Sequence, residues 1–368
     1  MGKPITDAKV LRAIRQAARG PGGEAASATV ALGLLLATIG RLEGVIRPVF
    51  ELCHRAIACD TLGYFWADAE GAMTNAYCEQ PFFLRADVVT SCMRYQQAAP
   101  ENWPSFNENV LTGPVSGYLQ RYQTPDFYRS VHFAETYAQI GAHHILDAVV
   151  HDGAVPRGCF LMMRGKDSGP FSAAEIEQSR RICDMLLLTS SAAPPPPSAS
   201  RRSDAGRAIA LPGGALRFVD SAAHQSLWML TRQIGGAPFG TDEEAPAAML
   251  TRALGDEMAQ AWATGRVSIQ RECPWGCIEI DLVVTGEELL VSFSQIEPYH
   301  AELARRLARS GLAPAKIIIC WLLVAGAQRK QIAALMEISM DTLSEHISAI
   351  YKALGVRSAT ELAVRLVG

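Results

Sequence analysis

One short segment near the C-terminus carries two kinds of side chain on opposite faces of an expected helix. Ser339 suits the N-cap and Gly355 suits the position just past the C-terminus, so the helix is predicted between them. Aliphatic side chains recur at helical spacing and predict one buried stripe, formed by Leu343, Ile347, Ile350 and Leu354. The opposite face carries Met340, Asp341, Ser344, Glu345 and Ser348. Hydroxyl and carboxylate groups arranged in this way can hydrogen-bond to the edges of DNA bases.

Three further short helices must position that segment. The first is predicted over Pro314–Ala325, with Gly326 just past its end, and the second over Gln328–Leu335. Ser358 and Glu361 form a capping box that opens the last helix. Two short helices joined by a tight turn, the second with small polar groups facing outward, form the layout that inserts a helix into the major groove.

Residues 312–368 resemble the LuxR-type helix-turn-helix, a family of DNA-binding regulators. The matching positions are Leu312, Pro314, Gly326, Lys330, Ile332, Ala333, Ile338, Ser339, Thr342, His346, Ile350, Tyr351, Leu354, Gly355, Val356, Ser358, Glu361 and Leu362. The resemblance implies an all-α domain of four helices and double-stranded promoter DNA as a partner. Ala353 and Ala359 stand where the family carries basic residues, which weakens contacts to DNA.

The resemblance also assigns roles along this segment. It implies base reading by Ser344, Glu345 and Ser348, on a surface shared with Met340 and Asp341. Phosphate contacts are implied for Arg329, Lys330, Lys352 and Arg357. The whole chain has a net charge of −3, whereas the segment from Leu312 carries six basic residues against four acidic ones. Any attraction to DNA must therefore be local.

Catalytic motifs are absent from the sequence. There is no glycine-rich phosphate loop, no H-E-x-x-H, no G-x-S-x-G and no paired C-x-x-C. We therefore expect no catalytic residues, no metal site and no cofactor, and we interpret Cys273 and Cys277 as cysteines flanking a hairpin turn. The acidic cluster of a phospho-acceptor receiver domain is also missing, which favours a one-component regulator that senses a ligand directly.

Cysteine usage and hydropathy bear on the compartment. Nine cysteines, an odd number without paired spacing, indicate reduced thiols and a cytoplasmic protein. The longest apolar stretch, Ala25–Gly40, is too short for a bilayer, so no membrane contact is expected.

The 368 residues predict an α+β multidomain chain, divided most clearly by four consecutive prolines. The predicted parts are a GAF-like α/β sensor domain at 1–190, a Pro/Ser-rich linker at 191–206, a small PAS-like α+β domain at 207–298, a connecting helix at 299–311 and the helix-turn-helix at 312–368. The GAF resemblance lies in two strands, His144–Val150 and Gly158–Arg164, followed by a helix that Ser172 and Glu175 open as a capping box. The PAS resemblance is one of layout, namely two strands, helices and then three strands.

Effector recognition is expected in 1–190, where most of the aromatic residues lie. The candidate ligand-binding residues are Tyr64, Trp66, Phe83, Trp103, Tyr118, Tyr122, Phe127, Tyr128 and His144. Such a lining suits a small apolar or aromatic effector. A long apolar helix predicted over Thr29–Cys59 has more apolar surface than one sheet face needs, which indicates a homodimer.

Two alternatives remain open at this point. Asp341 and Glu345 on the expected recognition helix suit a degenerate helix-turn-helix scaffold that binds a protein partner instead of DNA. The spacing of Tyr118, Tyr122 and Asp126 is similar to that of acyl-homoserine-lactone receptors.

Overall fold

A computed structural model describes residues 5, 7–19, 22–39, 42–80, 86–99, 103–188, 200–231, 245–273 and 275–367. The α-helices of these residues are α1 (Ala8–Ala17), α2 (Gly23–Thr38), α3 (Ile46–Ala56), α4 (Ala86–Ala98), α5 (Phe106–Leu111), α6 (Pro125–Arg129), α7 (Val131–Glu135), α8 (Ala173–Leu186), α9 (Ser221–Thr231), α10 (Pro246–Thr264), α11 (Tyr299–Ala308), α12 (Pro314–Val324), α13 (Arg329–Met336), α14 (Met340–Leu354) and α15 (Ala359–Val367). The strands are β1 (Thr61–Ala67), β2 (Met73–Cys78), β3 (His144–Asp152), β4 (Val155–Arg164), β5 (Ser200–Ala210), β6 (Leu216–Val219), β7 (Arg266–Cys273), β8 (Gly276–Thr285) and β9 (Glu288–Pro298). The mixed α+β class and the helical C-terminus are confirmed.

Contacts divide the chain into two compact units. We call one the helical unit, which consists of Met1–Ala58, Ser172–Arg201 and Pro298–Gly368. We call the other the sheet unit, which consists of Cys59–Phe171 and Arg202–Glu297. The units do not follow the predicted parts 1–190, 207–298 and 312–368. The predicted domain boundaries stay predictions.

Helix α2 is the centre of the helical unit. Its sequence is apolar on every side, and the whole run from Ala26 to Leu36 is buried. It packs against α1, α3, α8, α11 and α12. Gly33 lets α1 and α8 pack closely against α2, because a Cβ there would lie 2.8 Å from Ile14 Cγ1 and 3.0 Å from Met185 Sδ. A helix that is apolar all round is stable only when neighbours cover every face.

The single helix predicted over Thr29–Cys59 is wrong. Helix α2 ends at Thr38, Ile39 is extended, and a 3-10 turn at Glu43–Val45 precedes α3. Pro48 explains the restart, because proline is tolerated in the first turn of a helix and disrupts its interior. The apolar periodicity continues across the break and therefore did not reveal it.

The sheet unit contains two antiparallel sheets. The first has the order β2-β1-β4-β3 and the second the order β6-β5-β9-β8-β7. Register pairs Tyr64 with Phe160 across β1 and β4. Residues 200–206, predicted to belong to the linker, lie instead in β5. Backbone groups make the ladder hydrogen bonds, so a serine- and arginine-rich segment can extend a strand.

The two sheets share buried aromatic contacts. Trp275, in the turn between β7 and β8, is fully buried. The centre of its ring lies 5.1 Å from the ring centre of Trp66 on β1 and 5.6 Å from that of Trp228 on α9. Gln295 on β9 donates a hydrogen bond to the Trp275 carbonyl at 2.9 Å. The predicted hairpin turn at Cys273–Cys277 is confirmed, with Cys273 opposite Gly276 in the register.

No helix in the described part of the chain combines the length and the apolar character that crossing a bilayer requires.

Candidate nucleic-acid interface and cavity

The C-terminal helices have the local geometry that their caps predict. The Ser339 hydroxyl accepts a hydrogen bond from the Thr342 amide at 3.1 Å, and Gly355 adopts the left-handed conformation with φ 66°. Both predicted ends of α14 are confirmed. Helix α13 is displaced by one residue from its predicted span, because Gln328 is the N-cap and forms a capping box with Gln331.

The last helix has half of its predicted capping box. The Ser358 hydroxyl accepts a hydrogen bond from the Glu361 amide at 3.1 Å. The Glu361 carboxylate accepts from the amide of Arg357, at 2.8 Å, instead of from that of Ser358. The carboxylate therefore also orders the residue just before the helix.

Helix α14 has the two faces that its sequence predicts. Leu343, Ile347 and Ile350 are buried, and Leu354 is half-buried at the end of the stripe. This face packs against α12 and α13. Helix α12 is buried almost throughout, with both the Ile317–Leu322 run and Val324 inaccessible to solvent. The stripe therefore anchors α14 and leaves its other face accessible.

All nine residues predicted to contact DNA are exposed, namely Arg329, Lys330, Met340, Asp341, Ser344, Glu345, Ser348, Lys352 and Arg357. Met340, at the start of α14, is 45% exposed although its side chain is apolar. Exposure is a requirement for contact with DNA and does not identify which group each residue meets. These assignments therefore stay predictions.

Two of the candidate base-reading hydroxyls are already used as donors. Ser344 donates to the Met340 carbonyl at 2.9 Å, and Ser348 donates to the Ser344 carbonyl at 2.9 Å. Such bonds to the preceding turn are common for serine in helices. A hydroxyl that donates to a carbonyl can still accept, so each exposed serine remains able to accept a hydrogen bond from a base amino group.

The turn before α14 contacts α1, the first helix of the chain. Arg12 lies 3.2 Å from the Glu337 carboxylate, and Arg15 donates to the Met336 carbonyl at 3.3 Å. Glu337 itself has a left-handed backbone with φ 57°. Because Arg12 balances the charge of Glu337, one of the four acidic residues of this segment is offset locally.

A cavity of about 360 Å³ lies in the sheet unit, against the first sheet. Its lining comes from β1, β2, β4, α4, α5, the loops near them and two 3-10 turns. The lining residues are Phe65, Gly71, Ala72, Met73, Val88, Cys92, Met93, Gln96, Trp103, Pro104, Ser105, Phe106, Asn107, Asn109, Leu119, Tyr137, Cys159 and Leu161. A volume of this size is typical of small-molecule sites.

Among the nine predicted ligand-binding residues, Trp103 lines this cavity. Tyr64 and Trp66 lie on the opposite face of β1, where Trp66 contacts Trp275. Phe127 is fully buried behind the cavity, with its ring stacked on Trp103 at 4.3 Å.

The remaining candidates lie elsewhere. The hydroxyls of Tyr118 and Tyr122 are 3.1 Å apart, and the Arg121 guanidinium lies 3.7 Å from the Tyr118 ring centre. Tyr128 stacks on His143 at 4.2 Å between ring centres. His144 Nε2 lies 3.3 Å from the Lys166 carbonyl oxygen. Phe83 lies outside the described residues.

Sequence reasoning missed most of the cavity lining. Phe65 on β1 shares a face with its neighbours Cys159 and Leu161 on β4, because the register pairs Phe65 with Cys159. Strand alternation separates Phe65 from Tyr64 and Trp66. This alternation can be read from the sequence, but the sequence does not show which face of β1 lines the cavity.

One polar pair lies beside the cavity. Asn109 is 4% exposed; its amide nitrogen lies 3.7 Å from Cys159 Sγ, and its Oδ1 is buried without a hydrogen-bond partner. Asp147 on β3 is fully buried and accepts a hydrogen bond from the Leu119 amide at 2.8 Å. Burial raises the pKa of the Asp147 carboxyl to about 6, against the lowering effect of that bond.

Comparison with known proteins identifies the C-terminal helices. The family model of bacterial regulatory proteins of the luxR family, GerE, matches residues 318–366. No curated protein matches the chain.

Two solved structures, both of Vibrio cholerae VqmA, align with part of it: one a complex with ligand and DNA, the other a dimer in the absence of target DNA. Each alignment has 14% sequence identity and a TM-score of 0.18. It spans 44% of this chain and 80% of the VqmA chain. By the family match and the geometry of α13 and α14, residues 318–366 are a helix-turn-helix domain of the luxR family of bacterial regulatory proteins.

Proposed function

We propose that the protein is a one-component, ligand-responsive transcriptional regulator that binds promoter DNA. The single observation that carries this proposal is the exposed face of α14, held on a buried luxR-family scaffold. Helix α14 enters the major groove, where Glu345 accepts a hydrogen bond from a base amino group and Ser344 and Ser348 make similar contacts.

Four basic side chains position α14 on the DNA. Arg329 and Lys330 lie in the first turn of α13, and Lys352 and Arg357 lie at the end of α14 and beyond it. All four are exposed and can bind phosphate oxygens on either side of the groove. Such contacts fix the position of the helix and carry no sequence information.

The sensor function belongs to the N-terminal part in this proposal. Residues 1–190 are a GAF-like sensor domain and 207–298 a PAS-like domain, and antiparallel sheets in both parts support these assignments. The effector is a small apolar or aromatic molecule. The cavity beside the first sheet supports its presence there.

The protein acts as a homodimer in this proposal. A single α14 reads one short half-site, and two copies bound to adjacent half-sites offset the missing basic residues at Ala353 and Ala359. The argument from a long apolar helix does not hold, because α2 is buried within its own unit. Light scattering of the full chain, alone and with a two-half-site DNA, tests the stoichiometry: a single copy on that DNA would contradict the dimer.

A salt titration of the full chain on DNA upstream of its own gene tests DNA binding. The double variant Arg329→Ala/Lys330→Ala should bind all sequences more weakly, and the slope of log affinity against log salt should fall by about two. The matched control is Arg157→Ala/Arg207→Ala, which removes two exposed arginines from the sheet unit and should leave the slope unchanged.

An unchanged slope in the first double variant would refute the phosphate contacts. If the parent chain shows no salt-dependent binding to any DNA, the alternative of a helix-turn-helix scaffold that binds a protein partner is favoured, with Asp341 and Glu345 as its exposed acidic groups.

A further inference from the structure

The cavity of the sheet unit is lined mostly by apolar side chains. The strands contribute Phe65, Cys159 and Leu161, and helix α4 contributes aliphatic and sulfur-containing side chains. Trp103 and Tyr137 close another side with their rings 5.6 Å apart. When an apolar molecule replaces water against walls of this kind, the free energy falls.

The described residues of the lining include no Asp, Glu, Lys, Arg or His. Cys92 and Tyr137 are held neutral, since burial raises the pKa of Cys92 to about 12 and raises that of Tyr137 as well. A charged ligand would lose its hydration here without gaining an opposite charge. The occupant must therefore be uncharged.

One polar atom in this lining has an unmet requirement. Asn109 on α5 is 4% exposed, and its Oδ1 is buried without a hydrogen-bond partner. Its amide nitrogen lies 3.7 Å from Cys159 Sγ, and this contact leaves the oxygen without a partner. A buried acceptor without a donor is unfavourable, and a molecule in the cavity that donates a hydrogen bond removes that cost.

We propose that this cavity binds an uncharged, mostly apolar molecule the size of one fused ring system, whose N–H or O–H group donates a hydrogen bond to Asn109 Oδ1. The role of this occupant as effector rests on the proposed function, whereas its binding does not. Asn109 sets the specificity, because it distinguishes molecules that carry a donor from those of equal shape without one.

Indole and indene are suitable probes, because they have the same shape and the N–H of indole is replaced by CH2 in indene. Isothermal titration calorimetry of the full chain should show that both bind and that indole binds roughly five- to tenfold more tightly. Asn109→Leu should abolish this preference and leave the affinity for indene unchanged. The matched control Gln139→Leu alters an exposed amide side chain outside the cavity lining, whose nitrogen donates to the Ala134 carbonyl at 2.9 Å, and should retain the preference.

A third variant locates the probes. Ala72 is exposed at the rim of the cavity, so Ala72→Trp obstructs the cavity without altering the core and should weaken both probes alike. Failure of both probes to bind the parent chain at millimolar concentration would overturn the proposal, because a preformed apolar cavity accepts apolar probes of suitable size. An indole preference that survives in Asn109→Leu would overturn the role of Asn109.

The DNA titration separates this inference from the proposed function. Retained DNA binding without probe binding would refute the cavity and leave the regulator. Probe binding that depends on Asn109, without any DNA binding, would do the reverse.

Discussion

The Ser27 hydroxyl on α2 lies 3.1 Å from the Leu312 carbonyl oxygen, 285 residues away in sequence, and shares its proton between that oxygen and the Gly23 carbonyl at 3.2 Å. Ser27 is 4% exposed and Leu312 is 5% exposed. Leu312 lies two residues before α12, so this bond joins the second helix of the chain to the start of its last four helices. The luxR-family domain is thus packed in the helical unit against the N-terminal helices.

Ser27→Ala should therefore lower the stability of the helical unit. We expect the free energy of unfolding to fall by about 1 kcal/mol, because the Leu312 carbonyl loses a buried donor. Thr38→Val is the control, since the Thr38 hydroxyl bonds to the Leu34 carbonyl within α2 itself. Denaturant unfolding followed by circular dichroism measures both, and equal effects would argue against a special role for the long-range bond.

Glu345→Ala should change which base is preferred at one position of each half-site. A direct contact with a base amino group contributes roughly 1–3 kcal/mol to discrimination. Selection of binding sites from random DNA measures the preference. Lys352→Ala is the comparison, because loss of a phosphate contact should weaken all sites equally. The same selected motif from Glu345→Ala and the parent would exclude Glu345 from base reading.

Glu337→Gly should stabilise the protein by up to about 1 kcal/mol. Glu337 has φ 57°, a conformation that is unfavourable for side chains with a Cβ and free of cost for glycine. Loss of the exposed ion pair with Arg12 offsets only a small part of the gain. Gly355→Ala, at φ 66°, makes the opposite change and should destabilise by about 1 kcal/mol. Thermal unfolding compares the two, and a shift of the same sign in both would contradict the argument.

Asp147 should make stability fall as pH rises from about 4 to about 6. The pKa of its carboxyl is about 6 in the folded protein and about 3.9 in an unfolded chain, so the folded state holds a proton that the unfolded state has lost. The relative stabilisation is complete below about pH 4 and is lost as pH rises through the folded pKa.

Asp147→Asn removes this dependence. The stability of the parent relative to the variant should drop by on the order of 2 kcal/mol between pH 4 and pH 7. Burial also lowers the pKa of His132, to about 4, and its opposite effect cancels because both proteins contain it. Asp152→Asn, at the exposed end of the same strand, is the control. A constant difference across this range would contradict the raised pKa.

The predictable parts of the molecule are those that local sequence determines. Ser339 and Gly355 fix the ends of α14 through their own hydroxyl and backbone groups, so the sequence predicts both ends of this helix to the residue. The face of β1 that lines the cavity depends on pairing with β4, nearly 100 residues later in the chain. The aromatic composition predicts Tyr64 and Trp66 as ligand-binding residues, whereas the pairing with Cys159 places Phe65 at the cavity.

The position of α2 could be predicted only in part. Its all-round apolar sequence indicates a buried helix, but nothing in it indicates that α11 and α12 are among its neighbours. The break after Thr38 lets α3 pack against α2, a contact that the local sequence does not determine.

The bond between Ser27 and Leu312 has a consequence during synthesis. A ribosome adds about 5–20 residues per second, so α2 leaves it on the order of ten seconds to a minute before α12 exists. During that interval the whole sheet unit is made, and its own strands and helices can already pair. Helix α2 meanwhile exposes an apolar surface, because α1, α3 and later α8 cover only part of it. We therefore expect the nascent chain to depend on chaperones that bind exposed apolar helices until α11 and α12 have been made.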